Sequence, residues 1–153
     1  VEEFGSVWHQ DNLSAKAPYG AWLTIAVSLD DADETNGALK IIPGSHRIKN
    51  VRLKKYNSPI AKNKDGNIAP NQALGYAVNI PGNAKVIQLE YSIGDLIILH
   101  GHVIHMAEKN NHSHRWRRSM YYQYVKNDQP FWPAWIARRQ LIDRYDSSQF
   151  KKD

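Results

Sequence analysis

The sequence predicts an all-β core accompanied by one minor helix. Short runs rich in apolar, β-branched and aromatic residues recur along the chain, separated by Gly, Pro, Asn and Asp. Near the end, residues 134–146 carry the periodicity of an amphipathic helix. With 153 residues, 42% of them hydrophobic, the chain is long enough for a proper core. We therefore expect a single domain over residues 1–153.

The predicted strands are the runs that alternate or that are continuously apolar between turn signals. They are residues 21–29, 38–43, 85–90, 96–100 and 119–125. The first ends in an acidic cluster that leads into Asn36-Gly37, and the second ends at Pro43-Gly44. A calcium loop is an alternative for the acidic cluster, but its glycine is misplaced and no glutamate closes the loop. We predict a solvated turn there.

Residues 47–80 lack periodicity and contain several Pro and Gly, which predicts a long loop. Loops of this length inside a compact domain often act as lids. The segment carries seven basic residues and one acidic residue, a local net charge of +6 in a chain whose total is +5. A lid that admits an anionic substrate is one interpretation, and a merely solvated loop is the other.

Composition restricts the class of protein further. No run reaches the eighteen apolar residues of a membrane helix, and the first ten residues lack the layout of a secretory signal. We therefore expect a cytoplasmic protein without a membrane partner. The chain has no cysteine, so any transition metal must be held by nitrogen and oxygen atoms.

Histidines and one early aspartate form a candidate metal site. Residues two apart on an extended strand point to the same face, so His9 and Asp11 can offer a nitrogen and an oxygen to one ion. A third ligand would come from His100, His102 or His105, between which strand parity does not decide because Gly101 interrupts the alternation. Two histidines and one carboxylate form the ligand set of non-haem Fe(II) oxygenases.

The last predicted strand carries a candidate anion site. Alternation places Arg117 and Ser119 on one face and Arg118 on the other. A guanidinium and a hydroxyl on the same face can hold one carboxylate. The other histidines have ordinary explanations: His46 caps a strand end or lines the pocket, while His112 and His114 lie in a polar loop.

Four motifs occur in the order known from one family. They are WHQDN, LDDADETNGALKIIPGSHR, GDLIILHGHVIH and RWRRS. In this ordered set the chain resembles the phytanoyl-CoA dioxygenase-like (PhyH) branch of the Fe(II)/2-oxoglutarate-dependent dioxygenases, over roughly residues 8–125. That family normally has helices and strands ahead of the first motif, so we expect the chain to lack an N-terminal portion.

The resemblance implies a fold, a ligand set and a cosubstrate. The fold is a double-stranded β-helix, a jelly-roll or cupin-like barrel with the metal at its mouth. Fe(II) would be held by His9, Asp11 and His105, with His102 as the alternative and His100 in a supporting position. Arg117 and Ser119 would bind the distal carboxylate of 2-oxoglutarate, which is consumed with O2 and yields succinate and CO2, with ascorbate as a supporting reductant.

The family pattern also indicates the type of reaction. Related halogenases replace the carboxylate ligand by a small residue, whereas this chain has Asp11, so hydroxylation of a small organic substrate is expected. Two positions depart from many relatives: Ala26 stands in place of a tryptophan, and Met106-Ala107 in place of Gly-Ser. Trp22 shares the strand parity of Ala26 and is a candidate to fill that space.

Two other functions compete with a dioxygenase. A cupin-like metalloprotein would share the barrel without using 2-oxoglutarate, and Arg117 separates the two. A basic nucleic-acid-binding module is suggested by the sequence pI of about 9.4. Because the positive charge is concentrated in one loop and is not interleaved with aromatic residues, we expect no nucleic-acid partner.

Overall fold

The architecture was analysed in a computed structural model of the chain. The structure describes residues 5–15, 17–48, 50–55, 76–127 and 129. The C-terminal helix predicted for residues 134–146 lies outside these residues. Among the described residues, no helix is both long and apolar enough to cross a membrane.

Eight strands and three short helical segments make up the described fold. The strands are β1 (Trp22–Ser28), β2 (Leu39–Ile41), β3 (Leu53–Lys55), β4 (Tyr76–Val78), β5 (Ile87–Gln88), β6 (Leu96–His100), β7 (His105–Ala107) and β8 (Ser119–Val125). The helix α1 (Asn12–Ala15) and the 3-10 turns Glu34–Asn36 and Ser45–Arg47 connect them. The regular secondary structure of the described residues is therefore mostly β, as the sequence predicts.

The strands form two antiparallel three-stranded sheets and a separate hairpin. One sheet has the order β6-β1-β8 and the other the order β5-β2-β7. An isolated bridge between His9 and His105 places the WHQDN motif beside β7, at the edge of the second sheet. Both sheets contribute to one core cluster, in which Leu39 and Ala107 pack against Leu99. This face-to-face arrangement is the double-stranded β-helix, or jelly-roll, fold.

The hairpin of β3 and β4 lies inside the segment that the sequence predicts as a loop. Lys54 and Ala77 are paired at its centre, and the N–H of Val78 donates to the carbonyl of Trp8 at 2.7 Å. The three residues of β3 are all exposed, so no buried face produces a strand pattern in the sequence. Cross-strand hydrogen bonding, rather than hydrophobic alternation, defines this pair of strands.

The sheet of β1, β6 and β8 has an unusual distribution of side chains. On β1, Trp22, Thr24, Ala26 and Ser28 are buried, whereas the apolar residues between them are only half-buried. The same outer face carries Ile98, which is 60% exposed, and Tyr122. These two residues pair with Ile25 from the strands on either side of β1. Beyond Trp22 the inner side chains of β1 are small, which leaves an open volume between the sheets instead of a closely packed layer.

Two glycines permit the close approaches on which the fold depends. Gly37 adopts φ of +80°, and a Cβ there would lie 2.6 Å from the carbonyl oxygen of Glu108. At Gly101 a Cβ would lie 2.8 Å from the Cβ of Trp22. Trp22 is buried against Ala17 and Ala21 in a cluster of its own. Any larger residue at either glycine would push apart segments that are distant in sequence.

Candidate metal centre

The three residues expected to bind the metal lie close together at the mouth between the sheets. Nε2 of His9 is 3.5 Å from Oδ1 of Asp11, and Nε2 of His105 is 3.7 Å from the same oxygen. One donor atom from each residue lies within 4.8 Å of the other two. Two donors bound to one ion at about 2.0–2.2 Å can be at most about 4.4 Å apart. The two histidine–aspartate separations are therefore compatible with a single ion.

Hydrogen bonds orient both imidazoles for metal binding. Nδ1 of His9 lies 2.6 Å from the carbonyl oxygen of Val7, and Nδ1 of His105 lies 3.0 Å from that of Val103. A carbonyl oxygen can only accept, so each Nδ1 carries the proton and donates it. In the neutral ring Nε2 then keeps its lone pair, directed at the shared centre. This is how the outer nitrogen of a metal-binding histidine is usually satisfied.

A hydroxyl from the neighbouring sheet orients the carboxylate. Oγ1 of Thr24 donates to Oδ2 of Asp11 at 2.5 Å, leaving Oδ1 toward the two histidines. Thr24 is on the inner face of β1 and is 4% exposed. Burial alone would raise the pKa of Asp11, but the hydrogen bond with His9, the electrostatic interaction with the His105 imidazole and the Thr24 hydroxyl lower it. The carboxylate is therefore ionised and ready to act as a ligand.

The pKa values of the two histidines are shifted in opposite directions. Burial lowers the pKa of His105, and the neighbouring His9 lowers it further, so this ring is neutral. Burial also acts to lower the pKa of His9, but the hydrogen bond and charge of Asp11 outweigh it and raise the pKa. A neutral imidazole beside an ionised carboxylate is the donor set that a divalent cation requires. The residues present thus fit a non-haem iron ion.

His102 and His100, the other candidates for the third ligand, lie outside the group formed by His9, Asp11 and His105. Nε2 of His102 faces the side-chain amide of Asn12 at 3.2 Å, and its carbonyl oxygen accepts from Gln10 at 2.6 Å. The His100 ring contacts those of His46 and His102. Among the described residues, His9, Asp11 and His105 form the one group of three or more ligand-type side chains close enough for a metal. His102 instead contacts the residues on either side of Asp11, Gln10 and Asn12.

A cavity of about 460 Å³ opens beside the three residues. Its walls come from both sheets. They include His9, Asp11, Thr24, Leu39, Leu99, His105, Ala107, Arg117, Ser119, Tyr121 and Gln123. Strand alternation predicts that Arg117 and the β8 residues Ser119, Tyr121 and Gln123 share one face, and all four line the cavity. Ala107 lines the cavity, whereas neither Ala26 nor Trp22 does, and Trp22 packs against Ala17 and Ala21.

Arg117 differs from the two arginines around it. Arg115 pairs with Asp33 and Arg118 with Asp30, each at 2.7 Å. In the described part of the chain, Arg117 has no carboxylate partner, and its Nε is buried without a hydrogen-bond partner. The Tyr91 side chain is near its guanidinium, whose positive charge acts to lower the pKa of Tyr91 against the larger effect of burial. A half-buried cation facing a cavity without a counter-ion is suited to bind an anion.

The acidic turn has a role that the sequence does not reveal. Asp30 and Asp33 bind arginines 118 and 115, and the side-chain amide of Asn36 donates to the carbonyl of Trp116 at 3.1 Å. These contacts span 80 to 88 residues in sequence, so neither motif alone indicates them. The turn is therefore a docking element for the segment before β8.

A jelly-roll with two histidines and a carboxylate at its mouth defines the class of non-haem iron enzymes. The phytanoyl-CoA dioxygenase (PhyH) family model matches residues 2–119. The chain belongs to this family. All three candidate ligands and Arg117 lie within the matched range.

Similar proteins support the same placement. "Phytanoyl-CoA dioxygenase 1" of Oryza sativa subsp. japonica is 33% identical over 106 residues, covering 67% of this chain and 32% of the rice protein. A "Phytanoyl-CoA dioxygenase domain-containing protein 1" of Bos taurus is 31% identical over 103 residues, covering 67% and 33%. The chain thus spans about a third of the length of these curated relatives.

Solved structures resemble the fold at lower identity. The epimerase SnoN, in complex with Fe3+, alpha ketoglutarate and nogalamycin RO, superimposes with a TM-score of 0.62 at 19% identity, covering 88% of this chain and 47% of SnoN. The apo non-heme monooxygenase ThoJ gives a TM-score of 0.60 at 16% identity, covering 84% and 43%. These similarities establish the jelly-roll architecture.

Proposed function

We propose that this chain is the core of an Fe(II)- and 2-oxoglutarate-dependent oxygenase that hydroxylates a small organic substrate. The observation that carries the proposal is the convergence of His9, Asp11 and His105 on one cavity that also contains Arg117, an arginine with no carboxylate partner among the described residues. When bound, ferrous iron with 2-oxoglutarate and O2 supplies oxidation of a substrate C–H bond, with release of succinate and CO2.

The protein residues have separate tasks in this reaction. His9, Asp11 and His105 would hold the ion on one side and leave its other positions toward the cavity. Arg117, with Ser119 beside it, would bind the distal carboxylate of 2-oxoglutarate and so orient the reacting end toward the metal. Leu39 and Leu99 line the same cavity and limit the water that reaches it.

Arg117 favours a 2-oxoglutarate enzyme over a cupin-like metalloprotein. A cupin that uses no dicarboxylic cosubstrate has no need for a cation in the cavity without a counter-ion, whereas an incoming carboxylate would satisfy it. The same reasoning extends to the substrate. Arg52, Lys54 and Lys55 are exposed near the start of the 47–80 segment, which supports an anionic substrate admitted under this segment as a lid.

An anaerobic titration tests the proposal. Fe(II) and then 2-oxoglutarate are added to the protein, and the visible metal-to-ligand charge-transfer band is followed; oxygen is then admitted and succinate is quantified. We expect both the band and succinate in the wild type. Arg117→Ala should need about 10–100-fold more 2-oxoglutarate to reach half of the band, as expected for loss of a charged hydrogen bond.

Lys126→Ala is the control because Lys126 is exposed, does not line the cavity and takes no part in the contacts that hold residues 115–118. It should bind 2-oxoglutarate like the wild type. Absence of both band and succinate from the wild-type protein would contradict the proposal. Product analysis by mass spectrometry, a gain of one oxygen atom or none, then distinguishes hydroxylation from other oxidations of the same class.

A further inference from the structure

Arg117 lies in the cavity because of contacts made on both sides of it. On the outer side, Asp33 binds Arg115 at 2.7 Å and Asp30 binds Arg118 at 2.7 Å. The amide of Asn36, which is fully buried, donates to the carbonyl of Trp116 at 3.1 Å. The residues before and after Arg117 are therefore both held by one turn, residues 30–36.

Backbone hydrogen bonds fix the register of this attachment. The N–H of Leu29 donates to the carbonyl of Arg118 at 3.0 Å, and the N–H of Arg118 donates to Oδ2 of Asp30 at 2.8 Å. A shift of one residue would exchange the cavity and solvent positions of Arg117 and Arg118. With Arg118 bound to Asp30 outside, Arg117 has to point inward.

On the inner side, Tyr91 is a neighbour of the guanidinium. Tyr91 is 8% exposed, packs with Ala32 and Ala38, and is tied to Ala32 by two backbone hydrogen bonds of 2.8 and 3.0 Å. Burial raises the pKa of Tyr91, while the charge of the nearby Arg117 acts to lower it. The phenol is therefore a neutral neighbour that limits where the guanidinium can lie without neutralising its charge.

We infer that Tyr91 and the acidic turn are positioning residues that present Arg117 to the distal carboxylate of a dicarboxylic 2-oxo acid. This inference rests on the proposed function. Because a guanidinium recognises a carboxylate through a rigid fork, a small loss of orientation weakens binding of the distal group specifically. Binding of the 2-oxo acid end at the metal should be unaffected.

The test compares two ligands that differ only at the distal end. Equilibrium binding of 2-oxoglutarate and of 2-oxopentanoate, which has a methyl group in place of the distal carboxylate, is measured calorimetrically on the Mn(II)-loaded protein. Tyr91→Phe and the double variant Asp30→Asn/Asp33→Asn should each weaken 2-oxoglutarate binding about 3–30-fold, less than loss of Arg117 itself. Neither should change the dissociation constant of 2-oxopentanoate.

Two controls separate positioning from a general structural defect. Glu34→Gln removes a charge from the same turn at an exposed residue outside the contacts to residues 115–118, and should bind both ligands normally. In an Arg117→Ala background, Tyr91→Phe should have no additional effect. If Tyr91→Phe weakened the binding of both ligands equally, the inference would be overturned. It would also be overturned if Tyr91→Phe weakened 2-oxoglutarate binding further in the Arg117→Ala protein.

The wild-type measurement separates this inference from the function beneath it. A wild-type protein that prefers 2-oxoglutarate to 2-oxopentanoate, with unchanged preference in the variants, contradicts the positioning role alone. A wild-type protein with no such preference contradicts the assignment of 2-oxoglutarate, and the positioning role with it.

Discussion

The third metal ligand is expected to be His105 and not His102. His105 lies near Asp11, whereas the His102 ring faces Asn12. His105→Ala should therefore abolish binding of one equivalent of Fe(II) or Mn(II), while His102→Ala should retain it with at most a modest loss. Calorimetric metal titration measures both. Retention of stoichiometric binding by His105→Ala would exclude the proposed ligand set.

Thr24 offers a subtler test of the same site. Thr24→Val keeps the shape of the side chain but removes the hydrogen bond to Oδ2 of Asp11. Residues that orient metal ligands typically contribute 10–100-fold in affinity, so the valine variant should bind metal weaker by about that factor. Thr24→Ser retains the hydroxyl and should bind like the wild type. Equal affinities in all three proteins would show that the carboxylate needs no such support.

At the scale of residues, the sequence predicts most of the site, and the reasons are local. His9, Asp11 and the alternation that turns Arg117 inward follow from strand geometry. The choice of His105 over His102 does not, because Gly101 interrupts the parity and the family resemblance is needed. Tyr91 and Thr24 are invisible in the sequence, since their partners are 26 and 13 residues away and no spacing rule links them.

At the scale of elements, five of the eight described strands are predictable and three are not. β1, β2, β5, β6 and β8 lie where alternating or apolar runs predict them. β3 and β4 lie in a segment without periodicity, and β7 follows Gly101, where the alternation is interrupted, so cross-strand pairing determines these three. The sequence also predicts the acidic cluster as a turn, but not that the turn docks the segment before β8.

That docking predicts a pH dependence of stability. Hydrogen bonds from Arg118 lower the pKa of Asp30 from 3.8 to about 2. A lowered pKa in the folded state means that the stabilisation is fully present above about pH 5 and is lost as the pH falls toward 2. Asp30→Asn lacks the ionised carboxylate, so wild type and variant should differ in free energy of unfolding at pH 6 and converge near pH 2.

The difference is modest because the Arg118 side chain is 61% exposed. Exposed pairs contribute little to stability, and added salt should reduce the difference at pH 6 further. Urea unfolding of the metal-free protein between pH 2 and 6 measures it, with Glu34→Gln as the control that shows no convergence. A difference that stays constant down to pH 2 would mean that the pair contributes nothing through its charge.

At the scale of the whole molecule, the site depends on an inner sheet face that is not filled. The inner side chains of β1 beyond Trp22 are Thr24, Ala26 and Ser28, whose small size leaves the cavity between the sheets. A face of Val or Leu would pack more apolar area but close the cavity. The metal ligands come from opposite ends of the described chain, so an ion would cross-link the N-terminal segment to β7.

This cross-link predicts that metal binding stabilises the fold. A ligand that binds only the folded state at 100 times its dissociation constant adds about 2.7 kcal/mol. Mn(II) at that excess should raise the midpoint of thermal unfolding by several degrees, and EDTA should reverse the change. His9→Ala/Asp11→Ala should show no metal-dependent shift, although its His105 remains. A shift of equal size in this variant would place the stabilising ion at another site and remove the link between β7 and the N-terminal segment.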